Sequence, residues 1–221
     1  MQEHTGNLTG MNREISEKAL HKRDHLAGQI RNTQAFFAPD NLADLIVKYE
    51  GEIALLVIDV QEQFCDPAQR GNKQTVKISE RIQSLVPEFR KANIPVYAIY
   101  YSAQGEKPAE QVDFYKFTPD KDDIIVAKDG DSAFMSSNIM GMLDKQSRKL
   151  LLVCGFNEAA CVKRTVLDAR SAGFQVCVLS DLTGNDNNNS GAEYQDDARY
   201  AMKRAGTVRA SSQAVLSHLG V

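Results

Sequence analysis

Three side chains of different chemistry, an acid, an amine and a thiol, each follow a short apolar run of the chain. Asp59 ends the run that begins at Ile53, Lys128 follows Ile124–Ala127, and Cys161 comes shortly after another such run. A carboxylate can take and return a proton, and a deprotonated thiol can attack an electrophilic carbon. Ligands of an open parallel sheet bind beyond the carboxyl ends of its strands, so the three groups are expected to meet at one edge.

Cys161 is the predicted nucleophile among four cysteines. It falls in the first turn of a helix predicted over Ala160–Ala172, where the helix dipole and a nearby lysine favour a thiolate. Cys65 is the rival candidate, in a loop without a helix start. Cys154 and Cys177 lie inside apolar runs and are expected to be small core side chains.

Apolar runs and amphipathic stretches alternate from Ile53 onward. Unbroken apolar strands separated by helices predict a three-layer α/β/α domain of the α/β class, around a mostly parallel, doubly wound sheet of five or six strands. Parallel neighbours need right-handed crossover connections, and a strand order such as 3-2-1-4-5-6 is expected. The predicted helices after the first strand are Ser79–Ala92, Asn138–Gln146, Ala160–Ala172, Ala192–Arg204 and Gln213–Leu219.

Residues 1–48 are polar and form a predicted N-terminal extension ahead of the domain at 49–221. Apolar residues at helical spacing predict one helix in this extension, and a loosely ordered tail is the open alternative. An arm exchanged between subunits is one use for such a segment, and a homo-oligomer is predicted. The face of the predicted helix would carry Ile15, Ala19, Leu26 and Ile30.

The composition of the 221-residue chain argues against several classes of partner. With 26 basic and 29 acidic residues the net charge is −3, so no basic excess indicates a nucleic acid or a membrane surface. The polar start lacks a secretory signal, and a cytoplasmic location with free thiols is predicted. The nucleotide-binding glycine patterns and zinc-ligand spacings are missing from the sequence, so neither cofactor nor metal is predicted, and the partner is expected to be a small-molecule substrate.

Three blocks of the sequence resemble motifs of the isochorismatase-like cysteine hydrolases, a family that includes nicotinamidases, N-carbamoylsarcosine amidohydrolases and isochorismatases. Leu55–Phe64 is similar to the family's opening strand, apolar-Asp-x-Gln-x-x-Phe. Ile125–Lys128 with 132–134 resembles its lysine block, and Val153–Val162 resembles its nucleophile block. The resemblance covers about residues 50 to 215.

The resemblance implies that Asp59, Lys128 and Cys161 form a catalytic triad. It also implies a cis peptide at Phe156–Asn157, with the backbone N–H groups of Asn157 and Cys161 directed at an oxyanion. The reaction it implies is hydrolysis of a C–N bond in a small amide or ureido substrate, through a thioester on the cysteine.

Three side chains are predicted to contact the substrate, although ordinary packing is an equally good interpretation of each. Phe64 and Phe134 would supply apolar walls, and Gln104 would supply a polar anchor.

The sequence also departs from the family pattern in two places. Glu158 stands where many relatives have threonine, which places a second carboxylate beside the thiol. The segment 100–105 lacks the histidines of the metal-dependent nicotinamidases, and its Gln104 resembles the true isochorismatases. Two alternatives therefore stay open: vinyl-ether hydrolysis with Asp59 as the acid, and a non-catalytic binding or scaffold protein on the same fold.

Overall fold

A computed structural model describes residues 41–221, so the helix predicted within residues 15–30 lies outside the described residues. Six strands form one sheet in the order β3-β2-β1-β4-β5-β6, and every neighbouring pair in it is parallel. The predicted fold class and strand order are confirmed, with six strands and a wholly parallel sheet. The strands are β1 Ile53–Ile58, β2 Val96–Tyr101, β3 Ile124–Lys128, β4 Leu150–Phe156, β5 Gln175–Gly184 and β6 Val208–Ala210.

Helices cover both faces of this sheet. The α-helices are α1 Leu42–Lys48, α2 Glu62–Cys65, α3 Lys73–Lys91, α4 Ala133–Ser136, α5 Ile139–Lys145, α6 Lys163–Ser171, α7 Ala192–Arg204 and α8 Ser212–Leu219. Short 3₁₀ turns occupy Ala109–Gln111 and Asn187–Asn189, and one π-helical turn occupies Glu158–Val162.

The central strand β1 separates two layers of hydrophobic core. Leu55 and Val57 point into a core shared with α3 and α8, whereas Leu56 and Ile58 point into a core shared with α5 and α6. Every residue of β1 is buried, as expected for a strand covered on both faces.

Helix α1 packs onto the same domain through Leu45 and Ile46, which are buried in the first of these cores. Asn41 caps the helix by accepting a hydrogen bond from the backbone N–H of Asp44 at 2.9 Å. The predicted extension 1–48 therefore includes one helix that belongs to the packed domain.

Helix α3 begins earlier than the predicted Ser79. Asn72 accepts hydrogen bonds from the backbone N–H groups of Gln74 and Thr75, and the Thr75 hydroxyl accepts one from the Asn72 N–H. This reciprocal cap satisfies donors that would otherwise be unpaired at the helix start. The third residue of this cap is threonine, where the usual capping-box pattern has glutamate, so the sequence did not indicate the helix start at Lys73.

The strand register places the predicted catalytic positions at one edge of the sheet. Ile58 pairs with Ile99 in β2 and with Gly155 in β4. Tyr101 of β2 pairs with Lys128 in β3. The direction of winding reverses between β1 and β4, which is where open α/β sheets form their ligand crevices.

Candidate active site

Asp59 lies directly beyond β1, in a left-handed conformation with φ of 52°. Its backbone N–H donates to the carbonyl of Ile99 at 2.8 Å, which holds the residue against β2. The carboxylate is fully buried and forms an ion pair with Lys128, with Oδ2 and Nζ 2.8 Å apart. A buried carboxylate can keep its charge only beside such a partner.

Lys128, the last residue of β3, brings a buried ammonium to the same point. Its Nζ donates to the carbonyl oxygen of Gly130 at 3.0 Å and lies 5.3 Å from the centre of the Tyr101 ring. The ion pair, the carbonyl and the ring direct the ammonium inward. Lys128 is thus a structural part of the sheet edge rather than a solvated side chain.

Cys161 lies on the π-helical turn that follows β4, and 7% of the residue is exposed. Its thiol lies close enough to Asp59 and Lys128 to interact electrostatically with both, and Sγ lies 3.9 Å from Oδ1 of Asp131. The structure therefore brings together the acid, the amine and the thiol from three separate strands.

The electrostatics of the three groups favour a protonated thiol at rest. Burial, reinforced by the negative charge of Asp59, raises the pKa of Cys161 to about 12, and Lys128 only partly opposes this. Burial also raises the pKa of Asp59, although the charge of Lys128 opposes the shift. The charge of Asp59 raises the pKa of Lys128 despite its burial.

This result differs from the expectation that a helix start and a lysine would hold Cys161 as a thiolate. The cysteine occupies a buried π turn, not the exposed first turn of an α-helix, and the negative charge of Asp59 acts on it. Helix α6 begins only at Lys163, after the thiol.

The loop between β4 and Cys161 is anchored to the loop after β5. The peptide Phe156–Asn157 is cis, as the family resemblance implies. Asn157 accepts a hydrogen bond at Oδ1 from the backbone N–H of Asp186, at 2.6 Å, and Asn185 accepts one from the N–H of Ala159, at 2.9 Å. The Asn157 backbone N–H itself donates to no acceptor within residues 41–221.

Glu158 is a second carboxylate in this loop, and its oxygens bind two arginines. Arg199 of α7 donates to its Oε2 from Nη2 at 2.9 Å and from Nε at 3.2 Å, and Arg209 of β6 donates to its Oε1. The carboxylate is buried, whereas both arginines are partly exposed. The predicted placement beside the thiol did not anticipate these partners, which lie 41 and 51 residues further along the chain.

Gln61, from the opening motif, has a positioning role that the sequence did not reveal. Its side chain accepts from the N–H of Tyr101 at 2.7 Å and donates to Oδ1 of Asp113 at 2.8 Å. It therefore ties the end of β2 to the loop before β3. In the sequence, this role was indicated only by the position of Gln61, two residues after the strand-end acid Asp59.

The three predicted substrate contacts lie in different surroundings. Phe134 belongs to the core that contains Cys161 and stacks edge-on with Phe174 at 5.4 Å, whereas Phe64 belongs to the opposite core and lies under the guanidinium of Arg70. Gln104 lines an open cavity of about 250 Å³ beyond β2. These three roles stay predictions.

Cys65 lies on the other side of β1 from Cys161. It is fully buried in the α3 core, and burial raises the pKa of its thiol to about 12. Its Sγ lies 4.0 Å from the backbone oxygen of Asp59.

Two further observations concern residues 41–221 alone. They contain no helix long and apolar enough to cross a bilayer. They also contain no group of three or more histidine, cysteine, aspartate or glutamate side chains placed to hold a metal ion.

The chain belongs to the isochorismatase domain family, which matches residues 53–213. It is a hydrolase of that family. The secreted isochorismatase effector Isc1 of Verticillium dahliae is 26% identical over 139 residues, covering 59% of this chain and 71% of the relative. The predicted cytoplasmic location and homo-oligomeric state stay predictions.

Solved structures share the fold at lower identity. A cysteine hydrolase from Pseudomonas syringae pv. phaseolicola has a TM-score of 0.66 at 20% identity, covering 86% of this chain and 98% of that one. A pyrazinamidase from Pyrococcus horikoshii, solved in complex with zinc, has a TM-score of 0.63 at 21% identity, covering 72% and 99%.

Proposed function

We propose that this protein hydrolyses a C–N bond of a small amide or ureido substrate through a thioester on Cys161. One observation carries the proposal: the thiol lies within electrostatic reach of a buried Asp59–Lys128 pair at the carboxyl edge of the sheet. A thiol used only for packing would not need a buried base and a buried cation beside it.

Asp59 is the proposed proton carrier. As Sγ attacks the carbonyl carbon, Asp59 takes the thiol proton; when the C–N bond breaks, it returns that proton to the leaving nitrogen. The same carboxylate then takes a proton from water, which attacks the thioester, and returns it to the departing sulfur as the acid product leaves. The raised pKa of Asp59 brings this base closer to the pKa of the thiol, which eases the transfer.

Lys128 and the loop backbone supply the charge balance. Lys128 keeps Asp59 ionised in a buried position and stabilises negative charge on sulfur as it develops. The backbone N–H of Asn157, together with that of Cys161, would donate to the oxyanion; loss of one such donor typically costs about 3–4 kcal/mol of barrier. The absence of a protein acceptor for the Asn157 N–H, within residues 41–221, supports this role.

The experiment is a screen of small amides and ureides for ammonia release. We expect turnover of at least one substrate by the native chain and none by Cys161→Ala. Cys65→Ala is the matched control, since it removes another buried thiol, from the opposite core, and should keep activity.

A parallel assay on an isochorismate-like acid separates the alternatives. Vinyl-ether hydrolysis needs Asp59 but no thiol, so Cys161→Ser would retain full activity on an isochorismate-like acid. Full amide turnover by Cys161→Ala, or loss of turnover in Cys65→Ala alone, would contradict the assignment of Cys161 as the nucleophile. Family membership favours hydrolysis over the scaffold alternative.

A further inference from the structure

A cavity of about 470 Å³ lies between α1, α7 and the edge strand β6, away from the triad. Its apolar wall is formed by Leu42, Tyr200 and Val208. Neither Asp59, Lys128 nor Cys161 lines it. The space is the size of a small-molecule site and opens to solvent at an edge of the sheet.

The charged residues around this cavity are unbalanced. Arg199, Lys203 and Arg209 line it, and no acidic side chain of residues 41–221 does. Glu158, on the buried side, contacts both arginines, and Asp196 lies 3.9 Å from Arg199 at the solvent side. Within residues 41–221, Lys203 has no acidic partner, and only Nη1 of Arg209 is engaged with a carboxylate. Donors are therefore available for an anion.

Thr207 also lines the cavity, but its hydroxyl oxygen is enclosed by protein. The residue is 6% exposed, and the enclosed oxygen has no hydrogen-bond partner among the described residues. The features of the cavity that suit a ligand are therefore its volume, its apolar wall and its spare cationic donors.

We propose that this cavity binds a small amphipathic anion, with its apolar body against Leu42, Tyr200 and Val208. Its charged group would contact Lys203 and Arg209. A neutral apolar molecule would leave these donors unpaired, and a simple inorganic anion would leave the apolar wall exposed. This inference concerns binding alone and does not rest on the proposed function.

The test uses two fluorescent probes that share one aromatic body, titrated against the full chain. 8-Anilinonaphthalene-1-sulfonate carries a sulfonate, and N-phenyl-1-naphthylamine lacks it. We expect saturable binding of the sulfonate at one site. Lys203→Glu should weaken it about tenfold by placing an anion in the cavity.

Lys145→Glu is the matched control, because it makes the same charge change on an exposed lysine of α5, far from the cavity. It should leave binding unchanged, and Lys203→Glu should leave the neutral probe within about twofold. Equal loss of both probes, an equal effect of Lys145→Glu, or no saturable binding of the sulfonate overturns the proposal. Occupation of the cavity by residues 1–40 would give the last of these outcomes.

Discussion

At the scale of single residues, Asp59 and Lys128 form a neutral pair in the interior of the protein. Both side chains are fully buried, and their charged atoms are 2.8 Å apart. The free-energy cost of removing two charges from water offsets most of their mutual attraction, so the pair contributes little net stability. Its consequence is chemical: it maintains an ionised carboxylate beside a thiol in a place that water does not easily reach.

Removing one member of this pair should be far more damaging than removing both. Lys128→Met leaves Asp59 buried without a partner and should lower the free energy of unfolding by about 3–5 kcal/mol. The double variant Asp59→Asn/Lys128→Met should recover much of that loss, as measured by urea denaturation. Lys149→Met, which breaks the exposed pair with Glu52, is the control and should cost less than about 1 kcal/mol. If the losses of unfolding free energy from the two single substitutions simply add in the double variant, Asp59 and Lys128 are not coupled and the prediction is wrong.

The thiol of Cys161 should react slowly at neutral pH and gain reactivity over an unusually long pH range. Because its pKa is raised to about 12, the thiolate fraction, and with it the rate of iodoacetamide alkylation, should rise about tenfold per pH unit from pH 7 to 10. An ordinary thiol would level off above about pH 8.5. Tandem mass spectrometry of the peptide distinguishes Cys161 from Cys154. An alkylation rate that levels off near pH 8.5 in the native chain would contradict the raised pKa of Cys161.

Asp59→Asn provides the matched variant for that measurement. The charge of Asp59 raises the pKa of Cys161, so its removal should move the reactivity curve to lower pH. Alkylation at pH 8 should therefore become faster while amide turnover is lost. Parallel loss of both properties would indicate a damaged site instead of a missing base.

At the scale of elements, the site depends on a close approach of β1 and β4. Gly155 has φ of +110°, and a Cβ built there would lie 2.0 Å from the carbonyl oxygen of Ile58. The register between β4 and β5 also shifts between Val153 and Gly155. Glycine at this position lets the loop that carries Cys161 leave the sheet directly beside Asp59.

Gly155→Ala should therefore lower the free energy of unfolding by at least about 3 kcal/mol, from backbone strain together with a clash against main-chain atoms. Gly173→Ala is the matched control, since Gly173 also has a positive φ, of +95°, but nothing lies within 4 Å of its added Cβ. We expect that variant to lose only about 1–2 kcal/mol. Equal losses in urea denaturation would show that the clash is relieved elsewhere.

The elements that follow from apolar runs were predictable, and those that follow from distant contacts were not. The runs at Ile53 and Leu150 are long enough, and apolar enough, to indicate buried parallel strands, and the rule for crossover connections then limits the strand order. The helix expected over Ala160–Ala172 instead starts with a π turn, because its first residues are held by Asn157 and by Asn185 from the loop after β5. No local pattern reports that contact.

At the scale of the whole molecule, Glu158 joins the nucleophile loop to the far side of the domain. Its carboxylate contacts Arg199 of α7 and Arg209 of β6, so three segments distant in sequence meet at one buried charge. The same two arginines line the cavity behind that loop. The candidate catalytic loop and the cavity therefore share one ionic contact, and a change of charge at Glu158 should be detected in both.

Glu158→Gln tests this shared contact. The variant leaves two cations around a neutral amide, and we expect it to lower the free energy of unfolding by about 2–4 kcal/mol. Glu88→Gln is the control: it breaks the exposed pair with Lys91 and should cost less than about 0.5 kcal/mol. Because the carboxylate also neutralises the cavity arginines, Glu158→Gln should tighten binding of 8-anilinonaphthalene-1-sulfonate, the opposite of the effect of Lys203→Glu. Weaker binding in a variant that is still folded would show that the arginines need Glu158 to hold their positions at the cavity, and that geometry outweighs net charge there.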